Sequence, residues 1–180
     1  MATGTRIDPV SNYNFLITLV DSSSSLASVT VTLGISKPAV GGFSECSGLE
    51  VSLQTEEHRE GGNNGTVLKF PTRINWANIK LRRGVTTSSD LWDWHYSFVE
   101  GKGKRRDGII TLQDDQHKPV RSWRFSRGMP VKWTGPALNA AQSQVAIEEL
   151  EIAHEGIKVI KAGALGQVAE AVGGIINALS

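Results

Sequence analysis

A chain of 180 residues with 19 Lys and Arg against 18 Asp and Glu is long enough to bury a sizeable core as one domain, and its charge balance exerts no electrostatic pull toward nucleic acid or an anionic membrane. The single Cys46 excludes an internal disulfide, and no apolar run reaches the roughly 18 residues of a membrane span. No charged stretch followed by an apolar one opens the sequence, so synthesis in the cytoplasm without a signal peptide is the expectation.

Residues 1 to 12 read as a polar arm. Tyr13, Phe15, Ile17 and Leu19 then alternate with polar residues, as a strand with one buried face should. After the Ser-rich loop 21 to 25, Val29, Val31, Leu33 and Ile35 alternate again and predict a hairpin partner. GGFSECSGLEVSLQTEEHRE predicts one long extended segment with Leu49, Val51 and Leu53 on one side. EEHREGGNN is too polar for a core, and Asn64-Gly65 is a turn signal before TVLKF, so a projecting hairpin or loop is expected.

In WANIKLRR, Ala77, Ile79 and Leu81 share a strand face, and Gly84 ends the run. Thr87, Ser88 and Ser89 offer helix N-caps, Asp90 suits the positive end of a helix dipole, and Leu91, Trp94 and Phe98 recur at helical spacing until Gly101. Trp92, Tyr96 and Val99 form a second apolar row on that helix, which calls for a second partner.

GKGKRRDG reads as a flexible basic turn, followed by strands over IITLQDD and PVRSWRFSRGMP. In VAIEELEIAHEG, Val145 and Ile147 lie on one side and Leu150 and Ile152 on the other, which predicts a bulge near Glu148 and Glu149. Leu165, Val168, Val172, Ile175 or Ile176, and Leu179 recur at three and four, so the tail 161 to 180 predicts a second helix, weakened by Gly173-Gly174. Residues 1 to 160 then make one mainly β domain: two antiparallel sheets packed as a β-barrel or sandwich with one flanking helix.

Catalytic signatures fail. His58, His95, His117 and His154 are scattered without ligand spacing, so neither a metal nor any other cofactor is expected. GFSEC lacks the second glycine of a nucleophile elbow. Lys102, Lys104, Arg105 and Arg106 form a basic cluster without interleaved aromatics, a solvated or protein-contacting feature rather than a nucleic-acid site. What is left is a doubly apolar helix, a polar projection and an apolar tail on separate elements. That distribution suits self-association and not the single pocket of an enzyme.

The segments DPVSNYNFLITL, GGFSECSGLE, EEHREGGNN, NIKLRRGVTTSSDLWDWH, DGIITLQDD, PVKWTGPALNA and VAIEELEIAHEG stand in an order and spacing that resembles the phage tail tube family of contractile tails and extracellular contractile injection systems. The resemblance runs from about Asp8 to Ile157. It implies hexameric rings of this chain that stack into a hollow tube, with sheath and baseplate or spike proteins as partners and protein or DNA as cargo in the lumen. It implies no catalytic residue, no cofactor and no membrane insertion. Assembly into a virion tail or a phage tail-like injection particle would follow.

Carried onto this sequence, the ring-stacking loop would be Glu56, Glu57, His58, Arg59, Glu60, Asn63 and Asn64. The outer helix and subunit contact would be Leu91, Trp92, Trp94, Tyr96, Phe98 and Val99. Residues 21 to 41 and the tail from 162 exceed the family's usual pattern, and Leu165, Val168, Val172, Ile176 and Leu179 would dock a partner. These additions leave two readings, a repeating tube subunit and a tube initiator that joins the tube to the baseplate. A carbohydrate-binding sandwich using Trp92 or Trp133 as stacking platforms is a reading from another class.

Overall fold

Among the described residues, most of the alternations just described become strands with one buried face. The computed structural model describes residues 9–22, 42–59 and 65–160. Among them are β1 (Phe15–Asp21), β2 (Glu45–Ser47), β3 (Val51–His58), β4 (Leu68–Trp76), β5 (Ile79–Gly84), α1 (Asp90–Val99), β6 (Arg106–Gln113), β7 (Pro119–Thr134), β8 (Ile147–Ala153) and β9 (Ile157–Ile160). The alternation at 29 to 35 and the helix predicted over the tail lie outside the described residues.

Seven strands form one antiparallel sheet in the order β1-β6-β7-β8-β5-β2, with β9 added to β7. β7 is 16 residues long and serves both layers of the domain. Its first half pairs with β6 and β9, and from Met129 onward it pairs with β8. The handover falls at Arg127, whose φ of 52° is left-handed and unfavourable by about 1 kcal/mol or more for a residue with a Cβ. The Asp107 carboxylate offsets this by accepting the Arg127 backbone N–H at 2.9 Å. β1 and β2 end the order without pairing to each other, so among the described residues the barrel does not close and the fold is a two-layered sandwich.

Ile17 and Leu19 of β1, Ile110 of β6 and Phe125 of β7 meet Ile79 and Leu81 of β5 and Leu150 and Ile152 of β8, with Leu91 and Trp94 of α1 against the same core. Each such side chain contributes about 1.5–3 kcal/mol by leaving water. The helix begins after Ser89 as expected, yet the Ser89 hydroxyl bonds the Asp93 carboxylate and caps no backbone N–H. Its end is followed by Gly101 at φ 74°.

Two expectations are corrected. The extended segment after residue 42 is not continuous: Gly48, at φ 86°, separates β2 from β3, and a Cβ there would overlap the Asn78 carbonyl. No bulge interrupts β8 against β5, whose register runs unbroken from Ile79↔Ile152 to Gly84↔Ile147. Instead Glu148 faces inward with Leu150 and Ile152, because Arg83 follows Ile79 and Leu81 on the buried face of β5 directly across from it. The irregularity sits on β7, between Pro130 and Lys132.

The basic turn is also anchored. Trp94 Nε1 donates to the Lys104 carbonyl at 2.9 Å, the Arg106 guanidinium lies 5.0 Å over the Trp94 ring, and Arg106, Asp107 and Gly108 are already part of β6.

Candidate assembly surface

β3 and β4 form a separate two-stranded sheet. Every described residue from Val51 to Asn75 is exposed, including Leu53 at 56 %, Phe70 at 52 % and Ile74 at 62 %. The register explains why its apolar residues serve two faces. Val51 pairs with Trp76 and Leu53 with Ile74, which puts these four on one face of the ribbon near its base. Between Leu53 and Thr55 the pairing slips by one residue on the β4 side, next to Pro71, which has no N–H to donate, and the Thr72 hydroxyl donates to the Gln54 carbonyl at 3.1 Å. Beyond the slip, Glu56 pairs with Phe70 and His58 with Leu68, so the apolar residues near the tip fall on the opposite face.

Glu56, Glu57 and His58, expected in a loop, therefore lie on β3. Glu57 pairs with Lys69 at 3.5 Å, and the His58 ring meets Phe70 edge-on at 6.4 Å. Arg59 is exposed beyond the strand. Glu60, Asn63 and Asn64 lie outside the described residues, as do the tail residues Leu165 to Leu179.

Among the described residues neither β3 nor β4 has a third neighbour, so each presents an open edge of backbone donors and acceptors. A two-stranded ribbon with no covered face is marginal in water. This one leaves the body where β2 ends and returns where β5 begins. Ala77 N–H donates to the Glu50 carbonyl at 3.3 Å across the two crossing points.

The helix divides as its two rows predict. Leu91 and Trp94 are buried and Phe98 packs against the core, whereas Trp92, Tyr96 and Val99 face outward. Part of the outer row has a partner within the chain that its spacing did not name. Trp92 meets the Trp133 ring edge-on at 4.7 Å and stacks on Tyr96 at 5.6 Å. Both contacts engage the Trp92 ring, which stays 40 % exposed. Val99, 68 % exposed, keeps no such cover.

Behind Trp133 lies a buried polar cluster. Arg83 Nε donates to Glu148, Trp133 Nε1 donates to the other Glu148 oxygen at 3.1 Å, and Arg83 Nη2 donates to the Ser88 carbonyl at 3.3 Å. The cluster ties β5, β7 and β8 to the entry of α1. A second cluster ties β1, β6 and β7 together: Asp107 accepts from Arg124, from Arg127 N–H and from Ser22. Burial opposes ionisation of Asp107, but these donors outweigh it and hold the carboxyl below the usual range.

No three His, Cys, Asp or Glu residues among those described are grouped to hold a metal ion. Burial, helped by Glu45, pushes the Cys46 thiol up to about 11, which keeps it protonated and unreactive. The geometry is that of an interface with polar clusters behind it.

The family described as T4-like virus tail tube protein gp19 matches residues 12–158. In structure the chain is similar to a chain of the anti-feeding prophage (AFP) baseplate, with 25 % identity, a TM-score of 0.74, and coverage of 87 % of this chain and 99 % of that one. It is also similar to a chain of the PVC extracellular contractile injection system sheath-tube complex in the extended state, at 24 % identity and TM-score 0.69, covering 85 % and 92 %. A chain of the anti-feeding prophage tube-terminating cap shares 20 % identity at TM-score 0.72, covering 89 % and 96 %. Comparison with curated proteins gives no match.

Proposed function

This chain belongs to the T4-like virus tail tube protein family, and on that premise we propose that it is the repeating subunit of the inner tube of a contractile injection system or phage tail. Six copies close into a ring, and rings stack into a hollow conduit. The carrying observation is the β3–β4 ribbon, which among the described residues has two open edges and an apolar patch on each face. Neighbours that add strands to the edges and cover both faces satisfy it, and a ring of heterologous contacts supplies them to every subunit at once.

The outward row of α1 faces a different neighbour. A sheath around the tube is the partner proposed for Tyr96 and Val99, while Glu56 to Arg59 at the ribbon tip meet the adjacent ring. Electron microscopy with sedimentation of the purified chain tests the reading: six-fold rings that stack into tubes support it, and a monomer at every concentration refutes it. The similarity to a baseplate chain favours one second reading, a tube initiator. In that case the same preparation stops at a single ring.

A further inference from the structure

One imidazole stands against the ribbon's base. His154 follows β8, and its Nε2 lies 3.0 Å from the Ala77 carbonyl, in the link between β4 and β5. Its Nδ1 accepts the Gly156 N–H at 3.2 Å. A ring that accepts at Nδ1 carries its proton on Nε2, so the neutral tautomer is fixed and Ala77 receives a true donor. Trp76, the last residue of β4, stands beside the same ring at 6.1 Å and edge-on, and its indole lies over Gly156, where a Cβ would already be in contact at 3.6 Å. The turn carrying Gly156 is itself held to β7 by Ser126 N–H to Gly156 O at 3.2 Å and Glu155 N–H to Ser126 O at 3.0 Å.

We propose that His154 is an acid-released latch that sets the angle at which the β3–β4 ribbon leaves the body. A second proton on the ring has only Nδ1 to occupy, and there it meets the Gly156 N–H. Two donors then face each other. Either the ring turns, which breaks the bond to Ala77, or the Gly156 turn shifts, which moves the surface under Trp76. Both movements free the ribbon base, and a subunit with a free ribbon no longer presents its edges in the geometry of a ring.

The charged groups on the elements packed around the ring have partners of their own or are exposed. On β7, Arg124 is held by Asp107 and Arg127 by Glu155; Glu155, on the turn after β8, also takes Arg105. On β8, Glu151 accepts from Asn78. Glu50 at the ribbon base and Lys158 on β9 are exposed. Uncharged Trp76, Ala77, Phe125 and Gly156 make the immediate surroundings. Burial lowers the ring's pKa, with the Ala77 carbonyl opposing it. The folded chain therefore prefers the neutral ring, and the latch weakens as pH falls below about 6.5 toward the depressed folded value.

The test uses the full chain, dilute enough to be monomeric, so its outcome does not depend on the tube reading. Ring 15N resonances at neutral pH report the tautomer, and amide exchange at Glu50 and Ala77 is followed down to about pH 5, corrected for intrinsic rates. Exchange at those amides is expected to rise about tenfold in step with the His154 titration, with Leu81 and Leu150 unmoved. In His154→Gln the step should vanish. A proton on Nδ1 at neutral pH, a His154 titration that leaves the base amides unchanged, or a step that persists in His154→Gln overturns the proposal. If that variant does not fold, the ring and exchange titrations of the wild-type chain decide. Ring formation across the same pH range is then measured separately, so failed assembly at every pH counts against the tube and not against the latch.

Discussion

Replacing Leu53 and Ile74 together by Thr separates a ribbon that serves assembly from one that serves the fold. The two are cross-strand partners near the ribbon base, 56 % and 62 % exposed, and Thr keeps strand propensity. In the free subunit the exposed substitutions should change stability by no more than about 0.5 kcal/mol each. In a ring that buries them, the part still exposed is worth roughly 1–2 kcal/mol per side chain, scaled from about 1.5–3 for full burial. Losing both removes roughly 2–4 kcal/mol per subunit contact, a weakening of about thirtyfold to several hundredfold. Six contacts act together in the proposed ring, so at micromolar protein the double variant should remain monomeric. Sedimentation velocity reads the assembly, and thermal unfolding by circular dichroism reads the fold. Rings forming at the wild-type concentration would refute the reasoning, and a large fall in the monomer's melting temperature would show that the ribbon is part of the folding unit.

Glu148→Leu should lower stability by about 3–5 kcal/mol, because Arg83 is left buried without its partner and Trp133 loses its acceptor; adding Arg83→Met should recover most of the loss, as urea unfolding would measure. Gly48→Ala places a Cβ against the Asn78 carbonyl at a φ of 86°, so it should destabilise the ribbon base more than a similar change at the open Gly42, read as faster amide exchange at Glu50 and Ala77. Asp107, with its pKa held down mainly by Arg124 against burial, should contribute stability that is complete above the ordinary carboxylate pKa of about 3.9 and lost as pH falls through the lower folded value. In Asp107→Asn the acid-unfolding curve should lose that component.

The sandwich was legible because its signal is local. Ile17 and Leu19, Ile79 and Leu81, Leu150 and Ile152 each repeat at two, and each set is buried. The helix was legible for the same reason at its own period. What escaped was set by pairing between distant strands. Arg83 and Glu148 each sit at the next core position of an apolar alternation, 65 residues apart. Two opposite charges at core parity were the available signal, yet taken one strand at a time Glu148 looks like a reason for a bulge. The division of the ribbon's apolar residues between faces was hidden likewise. It follows from a one-residue slip opposite Leu53 and Thr55, which neither strand shows alone. His154 gave no sign of its role, since Ala77 contributes only a backbone carbonyl.

The body and the ribbon of this chain are stabilised in different ways, and that difference is what a tube subunit needs. The body closes its own core and satisfies its buried charges internally, through Arg83 with Glu148 and Arg124 with Asp107. The ribbon keeps open edges and apolar patches that no element within the described residues covers. Such a ribbon gains order from neighbours, so its folding free energy is realised as association free energy and grows with subunit concentration. A fully self-covered ribbon would leave nothing to drive a ring, and a body that also depended on neighbours would leave the free subunit prone to aggregation. The junction at Gly48, Trp76, Ala77 and His154 is where these two regimes meet, and changes there should alter assembly before they alter the fold.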